Sequence, residues 1–186
     1  MSQATVYQAT VEQLSDAAER TARLVAGVRP GQWADPTPCA DWNVESLVAH
    51  LINGNTIVAA AVAGVPPTHR DLLADFEQSA ATMLAAFDRP GALERVVPVQ
   101  FGRVSGAIAL HLRLTELLAH GWDLARATRQ PADFPDEVVK QELGFTVGAL
   151  TSLPPERRPF EPPRPAPEDA PPLDLLAARL GRDVRA

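Results

Sequence analysis

An all-α fold, most simply an up-down helix bundle, is what this 186-residue sequence predicts. Apolar residues recur at helical spacing through five long segments, and clusters rich in Gly and Pro separate those segments. A single stretch, Arg95 to Arg103, has the composition of a strand instead.

Val6, Val11, Leu14, Ala17, Ala18, Leu24 and Val25 trace the first helix from about Val6 to Val28, and Arg29-Pro30-Gly31 stops it. The segment from Gln32 to Trp42 holds Pro36, Pro38 and two tryptophans, so a regular helix is excluded there. Asn43 has the short polar side chain of an N-cap, and Glu45 puts negative charge in the first turn, where the helix dipole favours it. Val44, Leu47, Val48, Leu51, Ile52 and Val58 then carry the second helix to Gly64-Val65-Pro66-Pro67. A third runs from about His69 to Phe87, with Asp71 near its start, and Asp88-Arg89-Pro90-Gly91 closes it. Next, Val96, Val97, Val99 and Phe101 surround Pro98, a pattern that fits a short strand pair or an irregular crossover. The long fourth helix spans about Ser105 to Thr128, and Pro135 opens a fifth that reaches about Leu150.

Nine of the 18 prolines fall between Pro154 and Pro172, which forbids a helix and predicts an extended strap or a flexible linker. Leu173 to Leu180 returns to helical spacing before Gly181, and such an apolar face needs a surface to bury against. The expected organisation is a helical bundle over residues 1–152. A Pro-rich extension, 153–186, then ends in a short helix that packs on the same domain.

With 46% hydrophobic and 22% charged residues, the chain has the balance of one globular domain with an ample core. A net charge of −6 supplies no basic field, which argues against nucleic acid and an anionic membrane surface as partners. Lys140 is the one lysine among 17 basic residues, a skew that reads as GC-rich coding bias. Cys39 is the only cysteine, so an internal disulfide is excluded, and the thiol reads as packing, with a nucleophile as the alternative. The first residues lack a basic segment followed by an apolar run, and no apolar stretch reaches the ~18 residues of a membrane span. The expected location is the cytoplasm.

Glu116 and His120 lie four apart on the fourth helix, so they project from one face with Cβ atoms about 6 Å apart and can reach one ion together. His50, on the second helix, is their natural third partner. Two imidazoles and one carboxylate leave a coordination position open, the composition of a catalytic rather than a structural zinc site. On a helical wheel Leu110, Leu114, Leu117, Leu118, Leu124 and Ala125 form the apolar arc. Glu116 and His120 fall outside it, on a stripe with Arg113 and Asp123. That stripe reads either as a solvated face or as the lining of a cleft. Arg113 is accordingly a surface charge or a holder of substrate carboxylate, and Asp123 a surface charge or the acceptor that orients a ligand imidazole. His50 reads as a hydrogen-bonded, partly buried histidine or as a ligand. Gly54, one turn on, clears space beside it or allows close helix packing. His69 and His111 are weaker candidates, since His111 points about 180° away from His120. Trp33, Trp42 and Trp122 read as core or cleft-wall anchors.

The run Thr37-Pro-Cys-Ala-Asp41-Trp42-Asn-Val-Glu-Ser-Leu-Val-Ala-His50-Leu-Ile-Asn-Gly54-Asn55 resembles the signature of the DinB-like superfamily. It is similar above all to the metal-binding N-terminal domain of mycothiol-dependent maleylpyruvate isomerase. His111-Leu-Arg-Leu-Thr-Glu116-Leu-Leu-Ala-His120-Gly-Trp122-Asp123 resembles that family's other ligand helix. The ending from Ala170 to Asp183 is similar to the tail of a small stand-alone metal-binding branch.

This resemblance implies a DinB-like four-helix bundle with a divalent metal held by His50, Glu116 and His120. Zinc is the first expectation, with nickel and iron as alternatives. Many DinB-like relatives use three histidines, and Glu116 brings this chain nearer the isomerase pattern. The resemblance also implies a transferase or isomerase-like enzyme that uses a low-molecular-weight thiol such as mycothiol with an electrophilic substrate. The isomerase carries a second domain that helps complete its active site. Only about 35 residues follow Leu150 here, so maleylpyruvate isomerisation itself is not expected. The reading from a different class is a non-catalytic metal- or ligand-binding or sensor bundle. A homodimer is the assembly kept open.

Overall fold

The computed structural model describes residues 8–40, 42–63, 72–99, 102–152 and 160–185. Helix α1 (Val11–Ala26) starts later than the apolar pattern predicts, because Thr10 is extended and caps it. The Thr10 hydroxyl accepts from the Gln13 amide at 3.2 Å, and the Gln13 side chain accepts from the Thr10 amide at 2.9 Å. Val6 lies outside the described residues. Pro30–Gln32 forms a single 3-10 turn. The following loop is irregular, as expected, but it is tied down: Val44 N–H donates to Asp35 O and Glu45 N–H to Trp33 O.

Helix α2 (Val44–Ala63) has the expected cap, with Asn43 Oδ1 accepting from the Ser46 amide at 2.8 Å. Helix α3 (Leu72–Phe87) follows; Gly64 to Pro67, His69 and Asp71 are outside the described residues. The strand-like stretch is an antiparallel pair, β1 (Val96–Val99) and β2 (Gly102–Ser105), with Val96 opposite Ser105 and Val99 opposite Gly102. Phe101 is not among the described residues. Ser105 ends β2 and caps helix α4 (Gly106–Thr128), its hydroxyl accepting from the Ile108 amide. Helices α5 (Asp136–Ser152) and α6 (Pro172–Arg179) complete the order. Among the described residues no helix is long and apolar enough to cross a membrane.

Helices α1 and α2 each pack against both α3 and α4, while α5 and α6 pack on each other and on α4. Leu14, Leu47, Leu51, Phe76, Met83, Leu110, Leu114, Leu117 and Leu118 fill the space between them and are fully buried. Each such side chain contributes on the order of 1.5–3 kcal/mol by leaving water. Neighbours surround α4, and 17 of its 23 residues are buried. The solvated-face reading of its polar stripe is therefore corrected: Arg113, His120 and Asp123 are all in the interior.

The described part of the Pro-rich segment doubles back along α6, where the Arg164 amide donates to Ala178 O at 2.8 Å. Pro154 and Pro155 lie outside it. Gly181 then turns the chain with φ of 89°, and a Cβ there would lie 2.4 Å from the Cβ of Glu161. Only glycine meets both demands.

Candidate metal centre

The packing of α2 on α4 brings His50 to the stripe of Glu116 and His120. Glu116 Oε2 is 3.1 Å from His50 Nε2 and 3.4 Å from His120 Nε2, and one ligand atom from each residue lies within 4.8 Å of the others. Around a tetrahedral ion with bonds of about 2.0–2.1 Å, neighbouring ligand atoms stand roughly 3.4 Å apart. The observed spacings suit that requirement with small side-chain adjustments. Hard carboxylate and borderline imidazole donors fit zinc, and they also fit nickel or iron.

The electrostatics favour positive charge between these groups. Burial opposes ionisation of Glu116, but hydrogen bonds from His120 and His50 and the charges of His120 and Arg113 outweigh it. The carboxyl group is held well below its ordinary pKa. Burial likewise opposes protonation of His120, yet its bonds to Asp123 and Glu116 raise its pKa. A pair of carboxylates arranged to stabilise an imidazolium proton is equally arranged to stabilise a cation in its stead.

Asp123, fully buried, accepts from His120 Nδ1 at 2.9 Å. This bond puts Nδ1–H on Asp123 and turns Nε2 towards Glu116, where a proton or a metal ion can be held, the arrangement that orients metal-binding histidines. Burial opposes the Asp123 charge, but the bonds from His120 and Arg182 lower its pKa nonetheless. Arg182 clamps Asp123 through two nitrogens, at 2.8 and 3.2 Å, and its third donates to Leu180 O. The chain Arg182–Asp123–His120 thus links the C-terminal segment to the cluster. Trp122 helps hold that segment: its indole N–H donates to Asp174 in the first turn of α6.

Trp42, half-buried at the cap of α2, stacks against the cluster, its ring centroid 4.3 Å from His50 and 5.5 Å from His120. It is a wall of the site, and like Trp33 it also packs on the core. Cys39 is a half-buried thiol in the same loop and forms no disulfide. Arg113 is buried behind Glu116; its Nε donates to Asn55 and its Nη2 to Leu51 O. Burial lowers its pKa to about 10, opposed by Glu116, so it is a cation at neutral pH. The role of Gly54 is now concrete. A Cβ there would lie 2.1 Å from Arg113 Nη1, so the missing side chain makes room for the guanidinium. His111 stands apart, bound to Glu142 and the Ala9 amide. His69 is outside the described residues.

A family model described as the mycothiol maleylpyruvate isomerase N-terminal domain matches residues 14–125, a span that includes His50, Glu116 and His120. The chain belongs to that family. Two uncharacterized proteins of Mycobacterium tuberculosis, from different strains, are each 37% identical over 171 residues, which covers 88% of this chain and 92% of theirs. Among solved structures, mycothiol-dependent maleylpyruvate isomerase matches with a TM-score of 0.56 at 18% identity, over 72% of this chain. The match spans 65% of the isomerase's own length. A DinB-like protein of Bacillus subtilis matches with a TM-score of 0.53 at 17% identity, over 64% of this chain and 89% of its own. At those identities the likeness speaks for the fold, and the all-α, DinB-like expectation holds. Within this isomerase N-terminal fold, the residue missed from sequence is Arg182. The one available signal was an arginine directly after the glycine that ends an amphipathic helix in need of a docking surface.

Proposed function

We propose that this chain is a divalent-metal-dependent enzyme, transferase or isomerase-like, that works with a low-molecular-weight thiol such as mycothiol. His50, Glu116 and His120 would hold the ion, with zinc preferred. One observation carries this reading: two imidazoles and a carboxylate from two helices converge at ligand spacing, with the His120 tautomer set by Asp123. Bound there, the ion would supply Lewis acidity, lowering the pKa of a thiol or water at its open position.

The protein's own groups do the rest. Asp123 and Arg182 keep the His120 ring in one orientation, and Trp42 shields the cluster from water on one side. Arg113 adds a fixed positive charge near Glu116, suited to steadying negative charge that develops on a reacting group. The family name, and the printed name of the matched isomerase, support the choice of thiol.

Elemental analysis of protein purified without chelator tests the first half; about one ion per chain is expected. Thiol consumption assays with mycothiol and a panel of electrophiles test the second half. Turnover should stop with chelator and return with added zinc. A metal-replete protein that consumes no thiol with any electrophile would instead be a metal-binding or sensor bundle.

A further inference from the structure

A cavity of about 230 Å³ adjoins the ligand cluster, with His50 and Glu116 in its lining. Its walls come from α2, β1, α4, α5 and Phe160, and they are largely apolar, with Ile57, Val97, Leu112, Phe145 and Leu150 among them. The polar side chains in the wall are mostly committed already. Arg113 is held by Asn55 and Leu51 O, and the Thr115 hydroxyl donates to Glu142. Thr146 is different. It lines the cavity, is 3% exposed, and its hydroxyl has no hydrogen-bond partner among the described residues. Ile57 also lines the cavity while 55% exposed, which leaves a large apolar side chain in water at its edge. A buried hydroxyl without a partner is costly unless something that arrives satisfies it.

We infer that this cavity binds the organic co-reactant, and that this molecule is predominantly apolar. It carries one hydrogen-bonding oxygen or nitrogen for Thr146 and no second negative charge. An apolar cavity of about 150 Å³ accepts benzene, so this one suits a fused bicycle, a substituted ring or a medium-length acyl chain of roughly ten non-hydrogen atoms. A dicarboxylate fits poorly, because among the described residues the one cation of the lining is Arg113, already held by Asn55 and Leu51 O. The co-reactant role rests on the proposed function, whereas the binding stands on the cavity alone.

The test uses 2-naphthol, whose fluorescence reports transfer from water, with naphthalene as the same frame lacking the hydroxyl and maleate as a dianion. Both aromatics should bind saturably, and maleate should not displace them. Thr146→Val should weaken 2-naphthol about fivefold and leave naphthalene within about twofold. Two fillers, Ala61→Phe and Ala149→Trp, should each abolish binding in protein that circular dichroism shows to be folded. The titrations are run on protein as purified and after chelator treatment, with metal content measured alongside. Binding in both states supports the cavity even if no metal is found, which would sink only the metal reading. Absence of saturable binding in metal-replete protein, unchanged affinity in both folded fillers, or displacement by maleate overturns the inference while leaving the metal reading intact.

Discussion

Helix α4 carries two buried histidines, and they have opposite fates. His111 spends both ring nitrogens on the protein: Nε2 accepts from the Ala9 amide at 2.9 Å, and Nδ1 pairs with Glu142 at 2.9 Å. Thr115 takes the other oxygen of Glu142, and Phe145 stacks on the His111 ring at 4.2 Å. That cluster is closed, and it staples the chain before α1 to α4 and α5. His120 gives Nδ1 to Asp123, and its Nε2 faces Glu116, whose carboxylate also meets His50 and lines a cavity. A buried histidine beside a carboxylate is therefore no sign of a site by itself. What separates the two is whether a ring nitrogen is left for something that arrives later.

The comparison is broken most sharply by removing ligands. His120→Ala or Glu116→Ala should reduce metal affinity by on the order of a thousandfold or more, read by metal content after dialysis against a weak chelator. Retention of a full complement of metal in both variants would erase the distinction. Asp123→Asn keeps the shape but weakens the acceptor that orients His120, and a 10- to 100-fold loss of metal affinity is expected, about what removal of such a partner usually costs. Arg182→Met acts one step further out. It leaves Asp123 buried with only His120, so affinity should fall less than tenfold, while Tm drops by on the order of 5–10 °C. His111→Ala should have no effect on metal content. Its consequence is mechanical: Glu142 and the Ala9 amide lose their shared partner, and stability should fall by about 3 kcal/mol in urea titration. Any loss of metal in folded His111→Ala would mean that the two clusters are coupled through α4.

Much of this architecture was legible in the residues. Asn43 announced the cap of α2, the start of α4 was placed at Ser105, and the valines around Pro98 marked a strand pair or an irregular crossover, of which the structure shows the pair. The grouping of His50 with Glu116 and His120 followed from one local spacing plus a motif, since residues four apart must share a helix face. The polar stripe of α4 was the ambiguous part. Helical periodicity separates an apolar arc from a polar one, but it does not say whether the polar arc meets water or other protein.

The sequence by itself determined the helices, the Asn43 cap, a strand-like stretch before α4 and, with a motif, which three side chains are candidates for one ion, because these depend on short-range backbone preferences and fixed helical geometry. Tertiary structure alone decided that Arg113 and Asp123 are buried, that Arg182 arrives from the chain's far end to hold Asp123, that Gly54 makes room for a guanidinium, and that an apolar cavity lies beside Glu116. Each of these results from segments distant in the chain packing around α4. A buried charge is stable only with the partners such packing supplies, and no local pattern names those partners in advance.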